Sequence, residues 1–487
     1  MRRLSAVCLL IIACTEATEP GRGSEPGRPS PAVTASASSV AGNASYQVRK
    51  ESGASAYDPA DNTTYVTYNG PGMDIYVRAY HNGTSTWGPL TLAKTWTHYA
   101  GGVQWAYHDY GAMVLGPDGK LHVVQADHAS ALYEIVAPRA HSLAGSWSEQ
   151  RISTDHTAYP SVNLVGNSLY VIYVKDFSDS PDTYRTLRLI RKDWNGAAWS
   201  DWSAPRTIVD TRRMMGTTAG VGDRYDEVYQ QSVSLFDQRL WITFHLAGGA
   251  ASCPGSSTGH NCGAKDLYLV GLDVTNPTAP GDMYSVSGKR LGPIVACGSL
   301  GRCPEFLNIG TGARVAAFSA DPLSSDWGAS HPVEFSMAGW DSRTGTWLVA
   351  YNLASAGGER AVKLARFAGG TWSHMTVDHG RDFGLRDLAM TDGNGVELAY
   401  VTGTPATVKS RRVTYTGAWP AAVARLYPDL RVPLAGNPVP DRVSFLQIVT
   451  TQAETGRGLK MFGTTFNYAA RQSDYSGAWN GFALYSQ

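Results

Sequence analysis

The chain has 487 residues, with 41 Lys+Arg against 41 Asp+Glu, 43% hydrophobic and 10% aromatic residues, 52 Gly and 25 Pro. This is the make-up of a globular, turn-rich protein, and the formal net charge of zero removes the basic footprint that a nucleic-acid binder needs. The length admits two or three ordinary domains or one large all-β unit.

Met1, Arg2 and Arg3 form a positive start, and Leu4 to Ala13 an apolar run of about ten residues, too short to cross a bilayer and suited to an export signal. The run ends in Ile11-Ile12-Ala13-Cys14, similar to the bacterial lipobox, where cleavage leaves a lipidated cysteine at the new N-terminus. Residues 1–13 are therefore expected to be a signal peptide and Cys14 a lipid anchor. The location expected is the bacterial cell envelope, with the membrane touched through the anchor only; an ordinary secretory signal with Cys14 incidental is the other reading. From Thr15 to Val40 Glu, Pro, Gly, Ser and Thr dominate, so residues 14–45 read as a flexible tether and 46–487 as the folded domain.

From Tyr46 onward no stretch sustains a helical period, whereas short β-branched and aromatic runs alternate with turn residues, which predicts an all-β chain. One unit recurs: an apolar strand, a tight polar turn and a second apolar strand. Its turns are Pro59 to Asn62, Pro117 to Lys120, Val165 to Ser168, Phe236 to Arg239, Ser342 to Gly345, Asp392 to Gly395 and Glu454 to Arg457. Seven such units predict radial repetition, a seven-bladed β-propeller expected as a monomer.

The long interval between the fourth and fifth turns reads as an insertion. It holds Cys253, Cys262, Cys297 and Cys303, and an even number of thiols in an oxidising compartment points to two disulfides. Pairing within each close couple is the simplest connectivity; a structural zinc site using Cys253, His260 and Cys262 is the rival. A second motif, a small-residue turn ending in Trp, occurs at Trp87, Trp147, Trp199, Trp347, Trp372, Trp419 and Trp479. These turns look like decayed Asp-box turns of sialidase-type propellers, and their rings are expected to pack between blades.

Propellers bind ligands where loops from several blades converge. Among 12 histidines, His108 and His128 flank the Pro117-Asp118-Gly119 hairpin and should meet at its open end. His122, between apolar residues, reads as a satisfied core histidine. In the next unit Tyr159 and Lys175 are expected at the corresponding open end, giving two imidazoles, a phenol and a cation across adjacent blades. Arg185 and Arg188 follow on the next strand. Arg224, Tyr225 and Tyr229 open the following hairpin and His245 ends it, all read as substrate contacts.

The paired histidines around a strand-Pro-Asp-Gly-strand hairpin, followed by a Tyr-Pro strand whose partner ends in Tyr-x-cation, resemble the BNR-4 repeat family, and within it the propeller-fold lyases that cleave uronic-acid polymers such as ulvan. The resemblance implies that His108 works on the C5 proton, that His128 is its partner and that Tyr159 is the acid/base tyrosine. Lys175 falls where those lyases carry an arginine that pairs with the uronate carboxylate, and Arg185 or Arg188 can supply the guanidinium. These residue types suit β-elimination: a cation neutralises the carboxylate and so stabilises the enolate, and His and Tyr supply base and acid. No metal is required for that chemistry, while a structural calcium or zinc ion stays open. The partner implied is an acidic polysaccharide. The alternatives are a non-catalytic glycan-binding surface propeller and a sialidase-like glycoside hydrolase.

Overall fold

The computed structural model describes residues 35–44, 54–98, 111–126, 130–176, 185–210, 227–248, 262–275, 282–292, 313–316, 336–342, 344–354, 359–381, 384–390, 395–402, 407–414, 419, 422–425, 430–431, 442–448, 459–466 and 479–486. Among them the structure is all-β, with one 3-10 turn at Pro71–Met73.

The strands follow one another as antiparallel meanders. After β1 (Ala35–Ala44), β2 (Ser55–Asp58), β3 (Thr63–Asn69), β4 (Ile75–His81) and β5 (Thr86–Lys94) form one sheet. Next come β6 (Ala112–Leu115), β7 (Leu121–Gln125), β8 (Ser130–Val136), β9 (Ser148–Val165), β10 (Ser168–Asp176), β11 (Arg185–Asp193) and β12 (Arg206–Val209). They continue into β13 (Glu227–Phe236), β14 (Arg239–Gly248) and β15 (Cys262–Asp273), edged by β16 (Met283–Tyr284), β17 (Arg290–Gly292) and β18 (Arg314–Ala316). Strands β19 (Ser336–Asp341), β20 (Thr346–Ala354), β21 (Glu359–Ala368) and β22 (Thr371–Arg381) make a separate sheet. So do β23 (Gly384–Met390), β24 (Gly395–Thr402), β25 (Thr407–Thr414) and β26 (Ala422–Arg425), with β27 (Leu430–Arg431) on β25. Finally β28 (Arg442–Ile448), β29 (Leu459–Phe466) and β30 (Trp479–Ser486) pair in order, and β1 closes on β30.

Two features depart from the sequence reading. The stretch expected to be a tether to residue 45 contains β1, whose Ala35 to Ala44 pair antiparallel with Ser486 to Trp479. Its small side chains bury little, but its backbone satisfies the edge of β30, which composition does not reveal. The sheets also do not separate cleanly, because β6 to β18 join into one 13-stranded sheet. Strand β9 is continuous across two meanders, pairing with β8 through its first half and β10 through its second, and a parallel bridge between Arg185 and Glu227 links β11 to β13. The long interval read as an insertion likewise carries β15, which pairs with β14 along its length.

The predicted turns do fall between first and second strands. Gly119 and Gly166, at φ 72° and 57°, supply the left-handed residue that tight hairpins demand. The core lies between neighbouring meanders. Val66, Ile75 and Val77 are buried, and Ile75 and Val77 pack with Met113, Leu121 and Val123. Val124 and Leu132 pack with Leu169 and Val171, and Ile172 and Val174 with Val228, Ile242 and Phe244. Leu267 and Leu269 meet Trp347 and Val349, and Leu348 and Leu364 meet Val396, Leu398 and Tyr400. Each sheet thus covers its two faces with two neighbours, as radial packing requires. The motif tryptophans Trp147, Trp199, Trp347, Trp372 and Trp419 sit in or against these clusters, so they are packing residues, as expected.

Candidate functional site

Backbone register brings most of the candidate residues to the ends of the meanders opposite their tight turns. Lys175 pairs with Thr157 on β9 and with Thr186 on β11, and Asp176 pairs with Arg185. Arg185 bridges to Glu227, and on the same end Tyr229 lies opposite His245. Side chains from β9, β10, β11, β13 and β14 then form two groups.

The first group centres on the Tyr229 ring. His245 stacks on it with centroids 5.1 Å apart and planes 6° from parallel, the Arg185 guanidinium lies 4.8 Å from its centroid, and the Tyr159 ring is 6.2 Å away. All four are buried. A cation over a desolvated aromatic face is favourable, and it leaves a phenol, an imidazole and a guanidinium within one cluster.

Tyr159 owes its place to a β-bulge. The β9–β10 register slips between Ser161 opposite Ile172 and Ala158 opposite Val174, so Tyr159 and Pro160 together face Tyr173. Tyr159 takes φ 54°, a left-handed conformation that costs an aromatic residue energy and persists where the surroundings hold it. Those surroundings include Gln230, whose Nε2 donates to the Tyr159 carbonyl at 3.5 Å and to Ser161 Oγ at 3.1 Å.

The second group centres on Asp155. Its Oδ2 accepts from Tyr173 Oη at 2.7 Å and from Arg188 at 3.0 Å, and its Oδ1 lies 3.3 Å from Lys175 Nζ. Burial above all, together with the adjacent Asp155 charge, pushes the Tyr173 hydroxyl far up, so it stays a donor.

The sequence reading set Tyr159 and Lys175 face to face. The structure instead gives Lys175 the Asp155 carboxylate and turns Tyr159 toward the next meander, because the bulge adds a residue and shifts the alternation that the reading assumed. It brings Tyr159, Arg185, Tyr229 and His245 together, and Arg188 with Lys175. His108, His128, Arg224 and Tyr225 lie outside the described residues. So do Cys14, Cys253, Cys297 and Cys303; of Cys262 the backbone alone is described, opposite Gly248. Among the described residues no cluster of three or more His, Cys, Asp or Glu could hold a metal ion. His122, fully buried, bonds to Glu134 and Asp118, which bears out its reading as a core histidine. Asp155, Tyr173 and Gln230 were missed; two cations at one hairpin end, Lys175 and Arg188, were the signal that an acid should be sought on β9.

No family model matches the chain, and no curated protein matches it. Solved structures do. A PL25 ulvan lyase bound to -[GlcA(1-4)Rha3S]- is 15% identical with a TM-score of 0.65, covering 92% of this chain and 94% of that one. A second structure described as a PL25 ulvan lyase gives 15% and 0.64 over the same shares. The polysaccharide lyase Uly1 gives 10% and 0.54, over 93% of this chain and 99% of its own. At these identities the likeness is one of architecture: the chain has an all-β, propeller-type fold in common with these lyases.

Proposed function

We propose that this protein is a polysaccharide lyase that cleaves a uronic-acid-containing polysaccharide by β-elimination, on a propeller of seven blades. The observation that carries the reading is the gathering of Tyr159, Arg185, Tyr229 and His245 beside Lys175 and Arg188, at the open ends of adjoining meanders. Likeness to an ulvan lyase over 92% of the chain supports it. The blade count rests on taking each meander as one blade, with β9 shared by two and β1 completing the last.

In this reading a cation among Lys175, Arg185 and Arg188 neutralises the uronate carboxylate and stabilises the enolate that forms when C5 loses its proton. His108, with His128 beside it, takes that proton. The electron pair left at C5 forms the C4–C5 double bond as the C4–O bond breaks, and the Tyr159 hydroxyl gives its proton to the departing oxygen. Tyr229 and His245 offer flat faces and polar tips for the sugar rings.

The test is incubation with ulvan and other uronate polymers. Elimination leaves a conjugated double bond that absorbs in the ultraviolet, whereas hydrolysis leaves new reducing ends without it. Full activity in His108→Ala would remove the assignment of the base. The ion pair between Lys175 and Asp155 favours one second reading, a non-catalytic glycan-binding propeller, and binding without absorbance gain would select it. Placement at the cell envelope through a lipidated Cys14 and disulfides among Cys253, Cys262, Cys297 and Cys303 belong to the same proposal.

A further inference from the structure

The Asp155 group has a counterpart elsewhere in the molecule. Asp378, on β22, accepts at Oδ2 from Tyr400 Oη at 2.7 Å and from Lys409 Nζ at 3.1 Å. Tyr400 and Lys409 are direct partners across β24 and β25, as Tyr173 and Arg188 are across β10 and β11. In both places an aspartate preceding a meander clasps a tyrosine on its second strand and a cation on its third. A buried phenol that donates to a carboxylate, itself balanced by a cation, satisfies every group and ties one sheet to the next.

The two clasps differ in one respect. Two residues beyond Tyr173, on the same face of β10, stands Lys175, drawn to 3.3 Å from Asp155. Two residues beyond Tyr400 stands Thr402. The Asp378 copy therefore shows what the fold needs, and the Asp155 copy adds a second ammonium at the open end of β10, with Lys175 and Arg188 each 20% exposed and Asp155 11%.

We propose that Asp155 is a positioning residue for anion recognition: it fixes the Lys175 ammonium beside the Arg188 guanidinium so that the pair meets a uronate carboxylate, while Asp378 in the same geometry serves the fold alone. This rests on the lyase reading for its ligand and adds a residue that the reading does not contain. A lysine stem is flexible and costly to order, and a fixed carboxylate that orders it in advance lowers that cost at binding.

The experiment compares Asp155→Asn with Asp378→Asn. Binding is measured by calorimetry on ulvan and on carboxyl-reduced ulvan, which keeps its sulfates, alongside melting temperature and product absorbance. Both variants should melt lower than the parent. Only Asp155→Asn should weaken binding to ulvan, roughly tenfold or more for a charge-assisted contact, with carboxyl-reduced ulvan unaffected and Asp155→Glu restoring part of the loss. Equal melting losses with ulvan binding unchanged in Asp155→Asn would overturn the proposal. Should Asp155→Asn fail to fold, Lys175→Gln reads the same point with the Tyr173 and Arg188 contacts in place, and retained preference for ulvan over its reduced form in that variant also overturns it. Product formation by the parent with no effect in Asp155→Asn sinks the positioning role and leaves the lyase. Carboxylate-dependent binding lost in Asp155→Asn, with no product from the parent, sinks the lyase and leaves the positioning role.

Discussion

His122 Nδ1 lies 2.7 Å from Glu134 Oε1, in a site where neither side chain is more than 2% exposed. Its Nε2 lies 3.2 Å from Asp118 Oδ1. Carboxylate oxygens only accept, so both ring nitrogens donate and His122 is an imidazolium. Lys192 Nζ donates to Glu134 at 2.5 Å, and the indoles of Trp202 and Trp199 donate to Glu134 and Asp118 at 3.0 Å. Two cations balance two carboxylates, and residues of β7, β8 and β11 are joined to the Asp118 turn.

The pH dependence of stability follows from this network. Burial opposes a charged His122, but its bonds to Asp118 and Glu134 outweigh burial and raise its pKa above 6.5. Burial would likewise raise Asp118 and Glu134, yet the donors hold Asp118 down to about 2 and Glu134 below its usual 4.5. A raised histidine stabilises fully below 6.5 and loses its contribution as pH climbs through the folded value; the depressed carboxylates stabilise above their usual values and lose theirs as pH falls. The melting temperature of the parent minus that of His122→Gln should be widest near pH 5 to 6 and shrink on both sides. Removing one partner of such a buried pair costs about 3–5 kcal/mol, and a difference that stays flat with pH would show His122 to be neutral.

Trp199→Phe keeps an aromatic ring in place and deletes the indole donor to Asp118. The expected cost is about 1–2 kcal/mol for a bond to a charged acceptor, read by denaturant unfolding. Because Asp118 then loses a bond that holds its pKa low, acid unfolding of the variant should begin at a higher pH than in the parent. An unchanged acid limb would mean that His122 alone sets the Asp118 titration.

Tyr159→Phe removes the hydroxyl and leaves the ring contact with Tyr229. If Tyr159 is the acid, kcat on a uronate polymer should fall by roughly 10²–10⁴-fold with the melting temperature nearly unchanged, since the bulge and its φ of 54° are set by the backbone. A tenfold rise in KM at constant kcat, on the order expected for a lost binding contact, would make Tyr159 a ligand-binding residue instead.

Turn chemistry made much of this fold legible. Pro117-Asp118-Gly119 and Val165-Gly166-Asn167 announce hairpins locally, and the strands around them alternate as a sheet face demands. What escaped depends on register. Nothing local in Ser161-Pro160-Tyr159 marks the bulge that turns Tyr159 from Lys175, and nothing in Ala35 to Ala44 shows that its partner is Trp479 to Ser486. Asp155 is a charged residue in a polar run until Lys175 and Arg188 are known to lie opposite it. Long-range electrostatic pairs such as Lys192 with Glu134, 58 residues apart, are decided by which sheets adjoin, and that is a property of the closed ring.

Gly271 offers the sharpest test of packing between sheets. It is the register partner of Trp241, and a Cβ built there would stand 2.9 Å from Trp241 Cε2 and Cζ2, closer than such atoms approach. Trp241 cannot easily yield, because its ring lies 4.4 Å from Trp347 in the cluster that also holds Leu267, Leu269 and Val349. Gly271→Ala must therefore either displace the indole or bend β15, and overpacking of this kind costs about 1–3 kcal/mol. Trp241→Leu in the same chain removes the obstructing ring. The double variant should then be more stable than the two single losses predict when added, a coupling readable in urea unfolding. Simple additivity would mean that the clash is relieved by backbone movement and that the Trp241 and Trp347 contact does not hold these sheets in register.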